Sequence, residues 1–485
     1  MSALKRDPSE GIEVSETTKK VKKRRSNCDY DVCEIEQMND NTSTLQENKV
    51  SMITESCKDK IDKNIPLTEW LCKLRKSRVN AKSDGDLLKI KSELKHLISD
   101  AIKKGDDQVW NDSGLFLATL LLQQKCSVQQ KNDEKMISKL LYERGFLYRL
   151  SSAALRQCHK TRYSENPIYS YDKTRYHRRR KIAAMAWDNV LPSQLLSLMQ
   201  QTFSKNSQFW SAHDYSDGSS GTEPSPYFSY IVPLKPCTDD HPQKQTVLVQ
   251  VIHILRNLVS QAFPQVMEEC TAAEWWCHNR PHSSGHQLHF DSDDEGRGGV
   301  RNPICSTVLH LTPKAKNSTN QSESIVGGET IITAQSSTSK KLSESSDGWL
   351  CSSYTNRLLA FAGNLLHGVV PGAGVGPNTG HHRVTFMVAF WKKIRIQDEK
   401  LYHGSARSFF GRVDEEQWAK ILSNKIENIL SDDQQNLPTI SKDCFYQVPI
   451  WEDISKKKNE EYKESLAHVR KQKYLPPYDV FFQFG

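Results

Sequence analysis

His289, Phe290 and Asp291 stand in a row within the stretch HQLHFDSDDEG. Alternate side chains of a strand point to one face. In a strand His289 and Asp291 therefore aim at one point, while Phe290 faces apolar packing on the other side. An imidazole and a carboxylate aimed at one point make two thirds of a metal site. The third member is His367, in NRLLAFAGNLLHGVVPG. It follows an apolar strand and a Gly363–Asn364 turn, and it precedes Gly368 and Pro371. Two histidines and one carboxylate on one face of an octahedral metal leave three positions open, which suits non-haem iron(II) and oxygen chemistry. Zinc held by three ligands and a water is the competing reading. The acidic run Asp291, Asp293, Asp294 and Glu295 lacks calcium-loop spacing.

Arg383 opens the apolar run RVTFMVAFW, and Thr385 shares its face. A buried arginine needs a partner, and a carboxylate matches its planar fork of donors. No acidic residue is expected in the neighbouring strands, so a small-molecule carboxylate is the expected partner, with Thr385 adding a hydroxyl. His286 lies three residues before His289 and is expected to face away. His282 and His310 fit no pattern and are read as structural. Of Trp275 and Trp276, one packs in the core and the other turns toward the site. Arg280 and Arg297 read as loop charges.

His-x-Asp, a distal histidine and Arg-x-Thr, in this order, resemble the pattern of the iron(II)- and 2-oxoglutarate-dependent dioxygenases. The stretch GGET, Gly327 to Thr330, is similar to prolyl hydroxylases. So is the run from HFD through STVLHLT, GGET, RLLAFAG and HGV to a closing apolar strand. The resemblance covers about residues 185 to 395. It departs from collagen-type prolyl 4-hydroxylases, which place a lysine where Arg383 stands. It implies iron(II) held by His289, Asp291 and His367, and 2-oxoglutarate held by Arg383 and Thr385. Dioxygen is the second co-substrate and ascorbate a stimulant. The implied reaction hydroxylates a C–H bond with release of succinate and CO2, on a protein side chain of prolyl type. The carboxylate of Asp291 stands where a halogenating relative would need a halide. The implied fold is α+β: a double-stranded β-helix (jelly-roll) catalytic domain with flanking helices, among them segments near 193–204 and 247–263.

The elements that must position these residues are legible as texture. After Thr271 come short strands, AEWWCHNR, HQLHFDS, CSTVLHLT, ETIITAQ, NRLLAFAG, LHGVVP and HRVTFMVAFW, punctuated by Gly, Pro and Ser. Polar stretches at about 313–325 and 335–348 read as surface insertions. Many short strands in succession predict a sandwich or barrel. Residues 67 to about 160 carry apolar residues at helical spacing. The expected organisation is a disordered polar tail (1–62), a helical region with a basic linker (63–184), the dioxygenase domain (185–395) and a C-terminal extension (396–485).

The chain has 485 residues, 37% hydrophobic and 26% charged, with a formal net charge of +8. So modest an excess does not by itself point to nucleic acid. The 12 cysteines form no CxxC pair, so reduced thiols are expected rather than a disulfide framework or zinc finger. The start carries no secretory signal pattern, and no apolar run approaches bilayer length. The basic run Lys19 to Arg25 resembles a nuclear-localisation signal, so a nuclear or cytoplasmic setting is expected. A second basic run, Arg175 to Lys181, reads as a solvated linker. A protein substrate leads. Nucleic acid or a small molecule as substrate, and a non-catalytic module that keeps the barrel, are the alternatives.

Overall fold

The structure is a computed structural model. Residues 1–64 form one unit and Ile65–Gly485 the other. The described residues, all in the second unit, are 65–123, 130–144, 146, 148–156, 163–171, 180–215, 228–234, 245–293, 301–313, 328–337, 347–376, 382–394, 407–409, 417–426 and 437–453. The Lys19–Arg25 run, residues 175–179 of the second basic run, Arg297 and Gly327 lie outside them.

Eight strands surround the site: β1 Ala272–Arg280, β2 His286–His289, β3 Cys305–His310, β4 Thr330–Ser336, β5 Asp347–Cys351, β6 Leu358–Ala362, β7 Leu365–Val369 and β8 Arg383–Trp391. One sheet carries them in the order β1-β8-β3-β6 and another in the order β5-β4-β7-β2, all neighbours antiparallel. Chain neighbours β1 and β2, β2 and β3, β3 and β4, and β6 and β7 thus lie in different sheets.

Further strands widen the sheets. Arg180–Asp188 pairs with β6, Tyr230–Pro233 with β1 and Phe445–Pro449 with β5. The first corrects the reading of residues up to 184 as linker: Arg180 and Lys181 open an apolar strand, KIAAMAWD, that lies beside β6. β5 likewise begins inside the stretch read as a polar insertion up to 348.

Period-2 alternation builds two cores against the second sheet. Ile332, Trp349 and Leu365 face inward, toward a core shared with Leu359, Phe361 and Met387 of the first sheet. Ile331, Leu350 and Leu366 face outward and share a second core with the helical region. That region comprises α1 Leu67–Val79, α2 Asp84–Lys104, α3 Asp107–Leu122 and α4 Gln130–Tyr142. A strand, Tyr148–Leu150, paired with Trp451–Asp453, interrupts it before a short helix at Ser152–Arg156. Ser83 caps α2 through a reciprocal bond with Asp86, and Gly105 closes it at φ 67. On the first sheet's far face, α5 (Ser193–Thr202) and α6 (Val247–Ser260) join the inner core. Trp275 and Phe386 meet Phe203 there at 6.3 and 5.9 Å between ring centroids.

The helical region also fixes the loop after β7. Arg78 of α1 donates to the Gly372 carbonyl at 3.0 Å and Gln123 to that of Pro371 at 2.8 Å. Burial pushes the Arg78 guanidinium down to about 10. Within β7, Gly368 lets the strand close on β2. A Cβ there would stand 2.8 Å from the Gln287 carbonyl oxygen and 2.9 Å from that of His286. Gly368→Ala is therefore expected to force β2 and β7 apart, at a cost of about 1–3 kcal/mol. A urea midpoint unchanged from wild type would refute this.

Candidate metal centre

His367 of β7 stands directly opposite His289 of β2 in the antiparallel register, with ring centroids 4.3 Å apart. Asp291 follows two residues after the end of β2. Its Oδ1 lies 3.4 Å from His289 Nε2 and 3.7 Å from His367 Nε2. One donor atom from each residue falls within 4.8 Å of the others. Leu288 and Phe290 point the other way and pack on the core beneath the helices.

Each candidate ligand is oriented from behind. His289 Nδ1 lies 2.9 Å from the Gln287 carbonyl oxygen, and His367 Nδ1 lies 3.0 Å from that of Leu365. A proton on each Nδ1 donates to its carbonyl and leaves the Nε2 lone pair facing the partner ligands. Ser306 of β3 donates its hydroxyl to Asp291 Oδ2 at 2.6 Å, leaving Oδ1 for the centre. Asn302 donates to the Asp291 carbonyl at 2.7 Å.

Burial, with help from neighbouring His289, pushes His367 down to about 4. Burial alone would raise the Asp291 carboxyl, but His367 and His289 together hold it well below the ordinary carboxylate range. Near neutral pH His367 is a neutral imidazole and Asp291 a carboxylate, and with His289 they make a donor set fit for a divalent cation. Removing the hydroxyl that steadies Asp291, as Ser306→Ala, is expected to weaken metal binding about tenfold. Equilibrium dialysis against manganese(II) reads this directly, and unchanged affinity would remove Ser306 from the support.

His286 corrects the expectation that it faces away. Its ring centroid lies 4.8 Å from that of His289 and 4.7 Å from that of His278. The cause is a break in the β2–β7 ladder. His289 pairs with His367 and His286 with Val369, so Gln287 and Leu288 of one strand oppose Gly368 alone of the other. Parity holds only along an unbroken ladder.

The wall facing the triad is read from β8. Ser306, which bonds Asp291, pairs with Ala389. Ala389, Met387, Thr385 and Arg383 share that parity and face the interior. Their partners on β1 are Glu274, Trp276, His278 and Arg280. Trp276 is thus the tryptophan turned inward, and Trp275 packs under the helices.

Arg383 is buried, 3% exposed. Its Nη2 donates to the Ser284 carbonyl at 3.3 Å, and its buried Nη1 has no hydrogen-bond partner. Burial, with Arg280 nearby, pushes this guanidinium down to about 10, against the attraction of Tyr215 and Glu329. Acidic residues do lie in and beside the neighbouring strands, contrary to expectation. Glu274 of β1 is committed elsewhere, to the Ser229 hydroxyl at 2.6 Å and Trp391 Nε1 at 3.0 Å. Glu329 attracts Arg383, yet among the described residues Arg383 forms no salt bridge.

Arg280 belongs to β1 and is 5% exposed, not a loop charge. His310 ends β3 opposite Thr385 and is also buried. Ser306, Asn302, His278 and Arg280 are site residues that sequence reasoning missed. For the β1 pair the available signal was their even spacing from Trp276 in AEWWCHNR.

No family model and no curated protein matches this chain. Among solved structures, the chain is similar to 2-oxoglutarate and iron(II) oxygenases. One is a prolyl-4-hydroxylase from Pseudomonas putida, at 13% identity over 44% of this chain and 94% of that one, with a TM-score of 0.26. A second is HygX from Streptomyces hygroscopicus with nickel and 2-oxoglutarate bound, at 10% identity, 47% and 92% coverage and a TM-score of 0.25. A third is an oxidoreductase of the 2OG-Fe(II) oxygenase family from Burkholderia pseudomallei, at 11% identity, 45% and 84% coverage and a TM-score of 0.21. Among the described residues no helix is long and apolar enough to cross a membrane.

Proposed function

We propose that the chain is an iron(II)- and 2-oxoglutarate-dependent dioxygenase that hydroxylates a C–H bond, with a protein side chain of prolyl type as substrate. The observation that carries this reading is a pairing. Two imidazole Nε2 atoms and one carboxylate Oδ1 converge in the same interior that holds Arg383, a buried arginine with an unsatisfied donor. A bare zinc hydrolase has no use for that arginine. The strand orders β1-β8-β3-β6 and β5-β4-β7-β2 support a jelly-roll, double-stranded β-helix barrel.

Iron(II), when bound there, supplies the dioxygen activation that couples 2-oxoglutarate breakdown to hydroxylation. The chain's own residues do the rest. His289, Asp291 and His367 hold the metal. Ser306 and the Gln287 and Leu365 carbonyls fix the ligand orientation. Arg383 and Thr385 bind the far carboxylate of the co-substrate. Phe361, whose ring centroid lies 4.5 Å from that of His367, joins Trp276 and Met387 in an apolar wall that excludes water. The His289 side chain keeps 25% of its surface exposed against 8% for His367, so substrate approaches from the β2 side. The similarity of GGET to prolyl hydroxylases supports a protein substrate, and the Lys19–Arg25 run supports a nuclear or cytoplasmic setting.

The test is the visible spectrum of the full chain with iron(II) and 2-oxoglutarate, without oxygen. A charge-transfer band that weakens in Arg383→Met supports the reading. Bound iron with no band would end it and bring the zinc-site and binding-module readings forward. Peptide-dependent succinate release tests the protein substrate.

A further inference from the structure

We propose that Arg280 and Arg383 act as one two-arginine site, so that Arg280 grips the far carboxylate of the dicarboxylic co-substrate from the neighbouring strand. This rests on the co-substrate assigned under Proposed function. The new element is Arg280.

The two residues are directly opposite in the β1–β8 register. Such pairs share a face, with Cβ atoms about 5 Å apart. That face is the interior, by the parity that places Ser306 against Asp291. Arg280 is 5% exposed and Arg383 3%. Among the described residues neither forms a salt bridge. Arg280 Nε and Arg383 Nη1 are both buried without a hydrogen-bond partner.

Two buried guanidinium groups on one rung repel each other, and each leaves a donor unmet. Both costs are large in a site shielded from water. An anion between them removes both at once. A carboxylate has two oxygens and about four lone-pair sites, enough to accept from both groups.

Arg280 is also held in place. Its guanidinium lies 5.4 Å from the centroid of the Tyr215 ring, and the Tyr215 hydroxyl accepts from the Asn279 N–H at 3.1 Å. The rung next to the arginines carries His278, Thr385 and His310. His310 is 2% exposed with neither ring nitrogen hydrogen-bonded, so this wall has further unmet polar atoms. The His278 ring lies 4.7 Å from that of His286, which lies 4.8 Å from that of His289, so His278 links the arginine rung to the metal triad. A strand advances about 7 Å per two residues, so one rung separates the arginines from His278. The far end of a keto acid held at the triad is assigned to this arginine rung.

The experiment is calorimetric titration of the full chain, loaded with manganese(II) and kept free of oxygen. One ligand is 2-oxoglutarate. The other is 2-oxobutyrate, which has the same keto-acid head and no far carboxylate. Arg280→Met is expected to weaken 2-oxoglutarate on the order of ten- to a hundredfold and leave 2-oxobutyrate unchanged. Arg280→Lys, which keeps charge but loses the fork, falls between. Equal 2-oxoglutarate affinity in wild type and Arg280→Met overturns the proposal and leaves the dioxygenase reading standing. Loss of both ligands in Arg280→Met overturns it too, because Arg280 then serves the fold. If the wild type binds neither keto acid, this proposal and the co-substrate assignment fall together.

Discussion

Alanine at position 367 is expected to abolish metal retention and, with it, the 2-oxoglutarate turnover proposed for the chain. His367 is the most enclosed of the three residues of the candidate centre by side-chain exposure, and it sits opposite His289 in a strand pair that holds the two rings 4.3 Å apart. Its Nδ1 is engaged by the Leu365 carbonyl, so the ring is presented with Nε2 inward. Removing it leaves one imidazole and one carboxylate, too few to hold a divalent ion against water. Residues that only support metal ligands cost about 10- to 100-fold when lost, so loss of a ligand itself is expected to exceed about 100-fold. Two readouts belong together: metal per chain after desalting, and succinate released from 2-oxoglutarate. Retained metal with lost turnover would place His367 outside the ligand set. Retention of both would dismantle the site. His367→Gln offers a weaker neutral donor of similar reach and is expected to lie between wild type and alanine in metal affinity.

The parts of this arrangement that were legible in the sequence are those governed by strand periodicity alone. HFD reads correctly because Phe290 and Leu288 need one face and His289 the other. Arg383 and Thr385 fall on one face for the same reason. β8 is buried along its whole length, so its apolar run was unmistakable as a strand. Parity failed at His286, where the ladder shifts and two residues oppose one. A bulge leaves no mark in HQLH. Arg280 was hidden by its address, a charge next to Pro281 at the end of a strand, where exposure is the ordinary outcome. Only pairing with β8 buries it. Ser306 looked like one more strand serine, since its partner Asp291 stands 15 residues back in the chain, after a strand of the other sheet. The strand Arg180–Asp188 was masked by the basic residues in front of it, and Asp347–Cys351 by a polar stretch running into it.

The strand hidden by its basic neighbours carries the second large effect. Asp188 closes it and meets Arg357 at the start of β6, Oδ1 to Nε at 2.7 Å and Oδ2 to Nη2 at 3.0 Å. Arg357 is 7% exposed and also donates to the Ser352 carbonyl at 2.9 Å. The Ser441 hydroxyl joins Asp188 from the C-terminal segment. One bidentate pair thus ties Arg180–Asp188, the loop before β6 and residues near 441 together. Asp188→Ala leaves the guanidinium enclosed with its main partner gone, and breaking such a pair costs about 3–5 kcal/mol. The penalty comes from the stranded charge more than from lost attraction. It follows that Arg357→Met on top of Asp188→Ala should recover part of the loss, because the charge leaves with its partner. Urea midpoints of the two singles and the double measure this cycle. A single Asp188→Ala within about 0.5 kcal/mol of wild type would show that the pair is solvated and contributes little. A double variant less stable than both singles would show that the fork holds these segments by packing rather than by charge.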